Sequence, residues 1–507
     1  MKQIGLLYGI MFFASVAFAQ LDRPLRVEIS IPENTYPFEI VNLKEQGLLV
    51  HTANAQAHKT MTATSQYYYL YDSFLIRKWQ TKTTLPENYD IAGYSIIKDT
   101  LLMVAGNRNY NNRLAPNYLL KWSLTDGKMT IDTLHTISKV SVVKAFISEQ
   151  HLWLVHSDRT ELQVTLSNRQ DTGVASYEFA KFSGNELLDI AFDTVAQQLY
   201  IAYTDDNRRD DKIMVAVADL QLQVRTMELS MNKTERPVSI QIMIPKHKPP
   251  VFFGTYNTTR DRQTFSNYDR YSESIGFFTA KEVDQTLQIS SKINYAEFAD
   301  IETSISIDGL RVLQHSKSKR DTQLVMSNLI RFNNYQNDQG FLLVGESFAR
   351  DLTTKTESYY DYYGRVVPYT TTVFDSYRYM DAYIWTLDEH LQSQGSAIVD
   401  VSLSQKNKTM LPNVAAYPNG EHSAIAFMNA VNLFFCADNK KHNLQTLRLN
   451  SLYKADRIVD AELCSAQHWY NNALFISGYQ TIQNNTLKDE SKRRVFMITK
   501  LVIENDR

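Results

Sequence analysis

A short apolar run that ends in a small or polar cluster recurs along this chain at a nearly constant interval. It reads "GLLVHTAN" from Gly47, "TLLMVAGN" from Thr100, "HLWLVHSD" from His151, "QLYIAYTD" from Gln198 and "PVFFGTYN" from Pro250. Three more follow: "GFLLVGES" from Gly340, "NLFFCADN" from Asn432 and "ALFISGYQ" from Ala473. Aligned on Val50, Val104, Val155, Ala202, Phe253, Val344, Phe435 and Ile476, the first four steps are 54, 51, 47 and 51 residues. The next two are each 91, which points to insertions or a missed unit.

The surroundings repeat as well. Upstream lies another apolar strand, as in "YSIIKD", "VSVVKAFI" and "LLDIAF", and downstream come two more, as in "NYLLKWSL" with "MTIDTL". Runs of four to eight residues, rich in β-branched and aromatic types and closed by turn residues, predict strands. A four-stranded twisted sheet has two apolar faces and cannot bury either alone. A ring of such sheets buries both. Continuous runs such as "LLMVAG", with no strict alternation, fit sheets covered on both sides. The expectation is an all-β chain: a β-propeller of seven or eight four-stranded blades, one domain over 20–507, with a hairpin insertion near 351–380. Two or three β-sandwiches in series would need Pro-, Gly- or Ser-rich linkers, and none stands out. The stretch 294–321 breaks the pattern, reading as a short helix followed by a strand and a basic loop.

In architecture the chain resembles β-propellers, without their common signatures: no regular Trp-Asp strand ends, no kelch glycine pairs, no sialidase box. The pattern "GFLLVGES…FDSYRYMDAYIWTLDEHL" is similar to uncharacterised exported repeat proteins of Gram-negative bacteria. That resemblance implies a compartment and no activity.

The opening "MKQIGLLYGIMFFASVAFAQ" reads as a signal peptide over residues 1–19. Lys2 is followed by an apolar stretch too short to span a bilayer and by Ala17-Phe18-Ala19 for the peptidase. Gln20 in place of cysteine closes the lipoprotein route. Export to the periplasm or beyond is the expectation, with no transmembrane segment in the mature chain. Fifty-three basic residues balance 55 acidic ones, a net charge of −2, with no basic stripe for nucleic acid. Cys436 and Cys464 read equally as a disulfide or as two buried thiols.

Catalytic signatures are lacking. His51 with His58, and His151 with His156, lack the spacing and third ligand of a zinc site. "TDDNRRDDK" carries Asp205, Asp206, Asp210 and Asp211 but not the central glycine of a calcium loop. No nucleophile elbow, P-loop or dinucleotide turn is present. Neither metal nor cofactor is expected, and no catalytic residue is assigned.

The densest chemistry is "YYDYYGRVVPYTTTVFDSYRYMDAYIW", Tyr359–Trp385, with eight tyrosines. Gly364-Arg365 between two extended arms predicts a II′ hairpin turn, and Pro368 demands an edge or a bulge. Alternation sends Tyr360 and Tyr362 one way and Tyr359, Asp361 and Tyr363 the other. Rings on both faces leave two outcomes: the hairpin folds down on its propeller, or it stands out as a platform. Tyr383 and Trp385 belong to the blade core. In a propeller every second-to-third-strand loop leaves the same face, which gathers the tyrosine hairpin with "NTTRDRQTFSNYDRYSES" and its neighbours. The candidate binding residues are therefore Tyr359, Tyr360, Tyr362, Tyr363, Arg365, Tyr369, Tyr377 and Tyr379, with Arg260, Tyr268 and Arg270. The expected function is non-enzymatic binding of a protein partner or a glycan. The alternatives are a polysaccharide-acting hydrolase or lyase with acids at the channel, and a structural envelope or assembly component.

Overall fold

The computed structural model describes residues 25–31, 38–54, 63–86, 89–107, 116–134, 141–157, 161–168, 174–181, 187–205, 212–245, 247–258, 274–300, 329–337, 340–401, 411–419, 422–429, 432–436, 445–453, 455–484 and 492–503. The signal-peptide segment, most of the acidic 204–212 loop, His58, Arg260, Tyr268, Arg270 and residues 301–321 lie outside them, as does the side chain of Cys436.

The described residues form β-strands joined by turns, with two single-turn 3-10 segments. Antiparallel four-strand meanders follow one another along the chain: 39–86, 89–134, 142–181, 187–230, 235–294, 329–400 and 414–448. The strands Asp456–Tyr470, Ala473–Asn484 and Lys492–Val502 make three-quarters of one more. Its missing fourth strand comes from the other end of the chain: Leu25–Ser30 pairs antiparallel with Lys492–Val502, Leu25 opposite Lys500 and Ser30 opposite Val495.

Each meander shares a buried core with the next. Leu49 and Trp79 cluster with Met103 and Trp122, Val104 with Ala145 and Leu152, and Trp153 with Leu199 and Ile201. Tyr200 and Val215 join Phe252 and Phe278, and Phe253 and Phe277 join Tyr383 and Trp385. Val344 clusters with Ala416 and Ile425, and Leu433 and Phe435 with Leu474 and Ile476. The series then returns to its start, because Phe475 and Phe496 pack with Leu48 and Val50. The layout is a propeller-like ring. Successive residues of a second strand serve opposite seams: Leu48 and Val50 face one neighbour and Leu49 the other. That double duty makes the runs continuously apolar.

The alignment residues fall on second strands, with one correction. Phe435 lies on the third strand of its meander, and the second is His422–Asn429, "HSAIAFMN". Shifting the mark to Ala426 restores a step of about fifty residues to Ile476. Both long steps are insertions. One contains the stretch after residue 294, which opens as the 3-10 turn Tyr295–Glu297 and a two-residue strand, Ala299–Asp300, added parallel to Ser393–Asp400. Tyr295 and Phe298 are buried in the seam beside it. The other insertion is the tyrosine hairpin.

First strands face one another around the inside of the ring. A Cβ on Gly93 would sit 1.9 Å from the carbonyl oxygen of Ala145 across a seam, so only glycine fits there. Asp189 Oδ2 accepts the N–H of Ile242 across another, at 2.7 Å. Cys464 is a buried thiol in the seam between 414–448 and the closing meander, its Sγ 3.8 Å from the Glu462 carbonyl oxygen.

Candidate functional site

Strands Gly340–Tyr360 and Val366–Asp388 run 21 and 23 residues, far beyond the eight or so that their meander requires. The proximal part belongs to the core, with Tyr383 and Trp385 fully buried as expected. The break comes at a bulge between Glu346 and Phe348, and three buried side chains fix it. Glu346 accepts the N–H groups of Asn413 (2.8 Å) and Val414 (2.6 Å). Ser347 Oγ donates to the Asp381 carbonyl and accepts its N–H, at 3.1 and 2.9 Å. The Tyr379 hydroxyl donates to Leu411 O and accepts Leu411 N–H. These bonds tie the hairpin's root to the segment that leads into the next meander.

Beyond the root the ribbon stands away from the ring. Residues 353–360 are all exposed, and so is most of 362–372. Pairing continues without a break from Leu352 opposite Phe374 to Tyr360 opposite Val366. At about 3.4 Å per residue the stretch from Phe348 to Tyr360 reaches roughly 40 Å. Of the two outcomes open from sequence, the platform is the one observed: Tyr360, Tyr362 and Tyr363 are 75%, 97% and 78% exposed.

The tip differs from the predicted II′ turn. Asp361 donates its N–H to Arg365 O and accepts Gly364 N–H, and Gly364 has φ +72°. This is the longer loop in which a type I turn is followed by a left-handed residue. Alternation therefore stops at Asp361, and Tyr362 and Tyr363 meet edge to face with centroids 5.5 Å apart. Asp361 organises the loop. Its Oδ1 accepts the N–H groups of Tyr363 and Arg365, and its Oδ2 the Arg365 Nε–H, all at 2.9 Å. The backbone bond from Arg365, with further bonds from its side chain and from Tyr363 N–H, holds the carboxyl below its ordinary range. The Arg365 guanidinium also lies over the Tyr363 ring at 5.3 Å. On the ribbon, Tyr359 and Tyr369 share a face with centroids 5.8 Å apart. Tyr369 donates to Glu357, and that bond to a carboxylate raises its phenol.

The structure thus brings together Tyr359, Tyr360, Tyr362, Tyr363, Arg365 and Tyr369. Tyr377 pairs with Arg350 in the ladder near the root. Tyr379 is a correction: it is 1% exposed and belongs to the root, because its ring packs inward and its hydroxyl is spent on Leu411. Sequence reading missed Glu346 and Ser347, which look like an ordinary strand end. It also missed a recurring turn. Asp72-Ser73-Phe74-Leu75, Asp219-Leu220-Gln221-Leu222 and Asp388-Glu389-His390-Leu391 build the same loop between third and fourth strands, each aspartate accepting two backbone N–H groups. In these the left-handed residue is leucine, at φ +59°, +57° and +65°. Leu75 and Leu391 are buried in seams. At the free tip there is no seam to fill, and the residue is glycine.

Among the described residues no group of three or more His, Cys, Asp or Glu converges as a metal set, and no helix is long and apolar enough to cross a membrane. Asp189, an acid of the inner strands, is turned into a seam, where burial pushes its carboxyl up.

No family model matches the chain, and no curated protein matches it. Similar solved structures include a polysaccharide lyase, Uly1, at 10% identity and TM-score 0.39, covering 95% of this chain and 100% of that one. The Dos1 propeller is similar at 7% identity and TM-score 0.36, covering 83% of this chain and 93% of that one. The β-propeller domain of the Trilobed protease from Pyrococcus furiosus is similar at 8% identity and TM-score 0.33, over 83% and 97%.

Proposed function

We propose that this chain is an exported, non-enzymatic β-propeller of eight blades that binds a protein partner or a glycan through its tyrosine-tipped ribbon. The blade count is supported by the shared cores, which pass from meander to meander and return to the first. The exposed aromatic tip carries the binding reading. Tyr360, Tyr362 and Tyr363 lie at the end of a ribbon with a fixed root, Arg365 lies over the Tyr363 ring, and none of the three is covered. Tyrosine and arginine dominate interface energetics because each offers a large, stiff contact area with a polar end. Sugars stack on such rings, and protein grooves accept them.

The test is a Tyr360→Ala, Tyr362→Ala, Arg365→Ala triple variant, offered to immobilised envelope polysaccharides and to periplasmic extract. Loss of a partner retained by the parent protein is expected. A partner profile identical to that of the parent would sink the reading.

A further inference from the structure

The ribbon has two backbone edges, and they are not equivalent. Asp361 N–H bonds to Arg365 O, which makes 361 and 365 a hydrogen-bonded pair. Bonded and non-bonded pairs alternate down an antiparallel ribbon. With the register unbroken from Tyr360–Val366 to Leu352–Phe374, the even-numbered residues turn their N–H and C=O groups outward on both arms. Pro368 supplies a check, since a proline is tolerated only where no ladder donor is needed, and it falls on an outward position. The row Val366, Pro368, Thr370 therefore lacks a donor at its centre. Along the other edge Thr354, Thr356, Ser358 and Tyr360 present a complete row. One edge is blocked and one is open.

The open strand, "LTTKTESYY" from Leu352, is complementary to itself. In an antiparallel pairing of two copies, outward residues must face outward residues. With the two-fold axis on Thr356, Thr354 faces Ser358 of the second copy, and Lys355 faces Glu357 twice over. With the axis on Lys355 or Glu357, like charge faces like. With it on Thr354 or Ser358, the Lys–Glu pairing is lost. The ladder ends where Asp351 meets Asp361, whose carboxylate is already held by Arg365 at 2.9 Å.

We infer that two copies of this chain join through their 351–360 edges, around an axis at Thr356, into one four-stranded sheet. A two-stranded ribbon exposed on both faces is marginally stable in water, and pairing two ribbons supplies the strands it lacks. An exposed unblocked edge is a template for strand addition, and cross-strand opposite charges set its register. This surface uses the backbone of the arm and meets the binding tip only at Tyr360. The triple tip variant keeps the outward backbone row, so either property can fail without the other.

Sedimentation velocity on the full mature protein tests the inference. The parent protein is expected at twice the monomer mass at micromolar concentrations. Lys355→Glu sets glutamate against glutamate at two symmetric positions and should weaken the dimer about tenfold or more. Adding Glu357→Lys should restore it. Thr356→Pro removes an outward donor from the open edge and should abolish the dimer, whereas Thr370→Pro, on the blocked edge, should leave it intact. A monomeric parent protein, a double charge swap that fails to rescue, or equal effects of the two prolines would each overturn the inference.

Discussion

The hydroxyl of Tyr379 donates to the carbonyl of Leu411 at 2.6 Å and accepts the N–H of the same residue at 2.9 Å. One side chain thus satisfies both backbone groups of a residue 32 positions away and clamps the ribbon's root to the segment leading into the next meander. Tyr379→Phe keeps the packing and removes both bonds. Two part-buried backbone groups then lose their partner, and stability should fall by about 1–2 kcal/mol. Urea denaturation should show a lower midpoint with an unchanged slope.

Closure of the ring rests on a second clamp. Arg493 Nη2 reaches Asp456 Oδ2 at 2.5 Å and Glu28 Oε2 at 3.2 Å, and the two carboxylate side chains are 0% and 5% exposed. Arg493→Ala removes the cation the two buried acids share, leaving Glu28 with Arg26, Ser451 and the Leu452 N–H, and Asp456 with Ser451 and Asn484. A loss of about 1–3 kcal/mol is expected, visible as a lower thermal midpoint. Lys492→Ala, at an exposed neighbour, should change little.

Leu391 holds φ +65° and is 3% exposed. Glycine there would relieve about 1 kcal/mol of left-handed strain and forfeit about 2–5 kcal/mol of buried side chain and cavity. Leu391→Gly should therefore be destabilising. Leu222 takes the same backbone conformation but is only partly buried, so Leu222→Gly should be close to neutral. Equal losses at the two sites would contradict this balance.

Asp189 gives a pH signature. Desolvation raises its carboxyl above the ordinary value of 3.8, opposed by the N–H groups of Ile242 and Ile190 and by Lys144. The folded state then holds this proton at pH values where the unfolded chain has lost it. Its stabilising effect is greatest in acid and declines as pH rises from 3.8 through the raised folded value. Asp189→Asn cannot ionise, so relative to the parent protein it should gain stability across that window. Paired urea titrations at successive pH values would reveal a constant difference if the account is wrong.

Much of the fold was legible in the chain, because each second strand serves two seams and must be apolar on both sides. Leu48-Leu49-Val50 and Leu101 to Ala105 advertise that burial directly. The mark on Phe435 slipped by one strand because "AIAFM" and "LFF" are equally buried there, and periodicity cannot rank two core strands. The N-terminal closing strand was illegible, since pairing Leu25 with Lys500 is a long-range match with no local signal.

At the candidate site, the hairpin's existence, its aromatic content and its place between second and third strands are all written in the local residue order. Those follow from local turn chemistry and strand pattern. That the ribbon stands clear of the ring, that Tyr379 is a root and Tyr362 a tip, and that Glu346 anchors the junction emerge from long-range packing alone. Burial is a property of what packs against a residue, and a tyrosine reads the same whether a seam or solvent surrounds it.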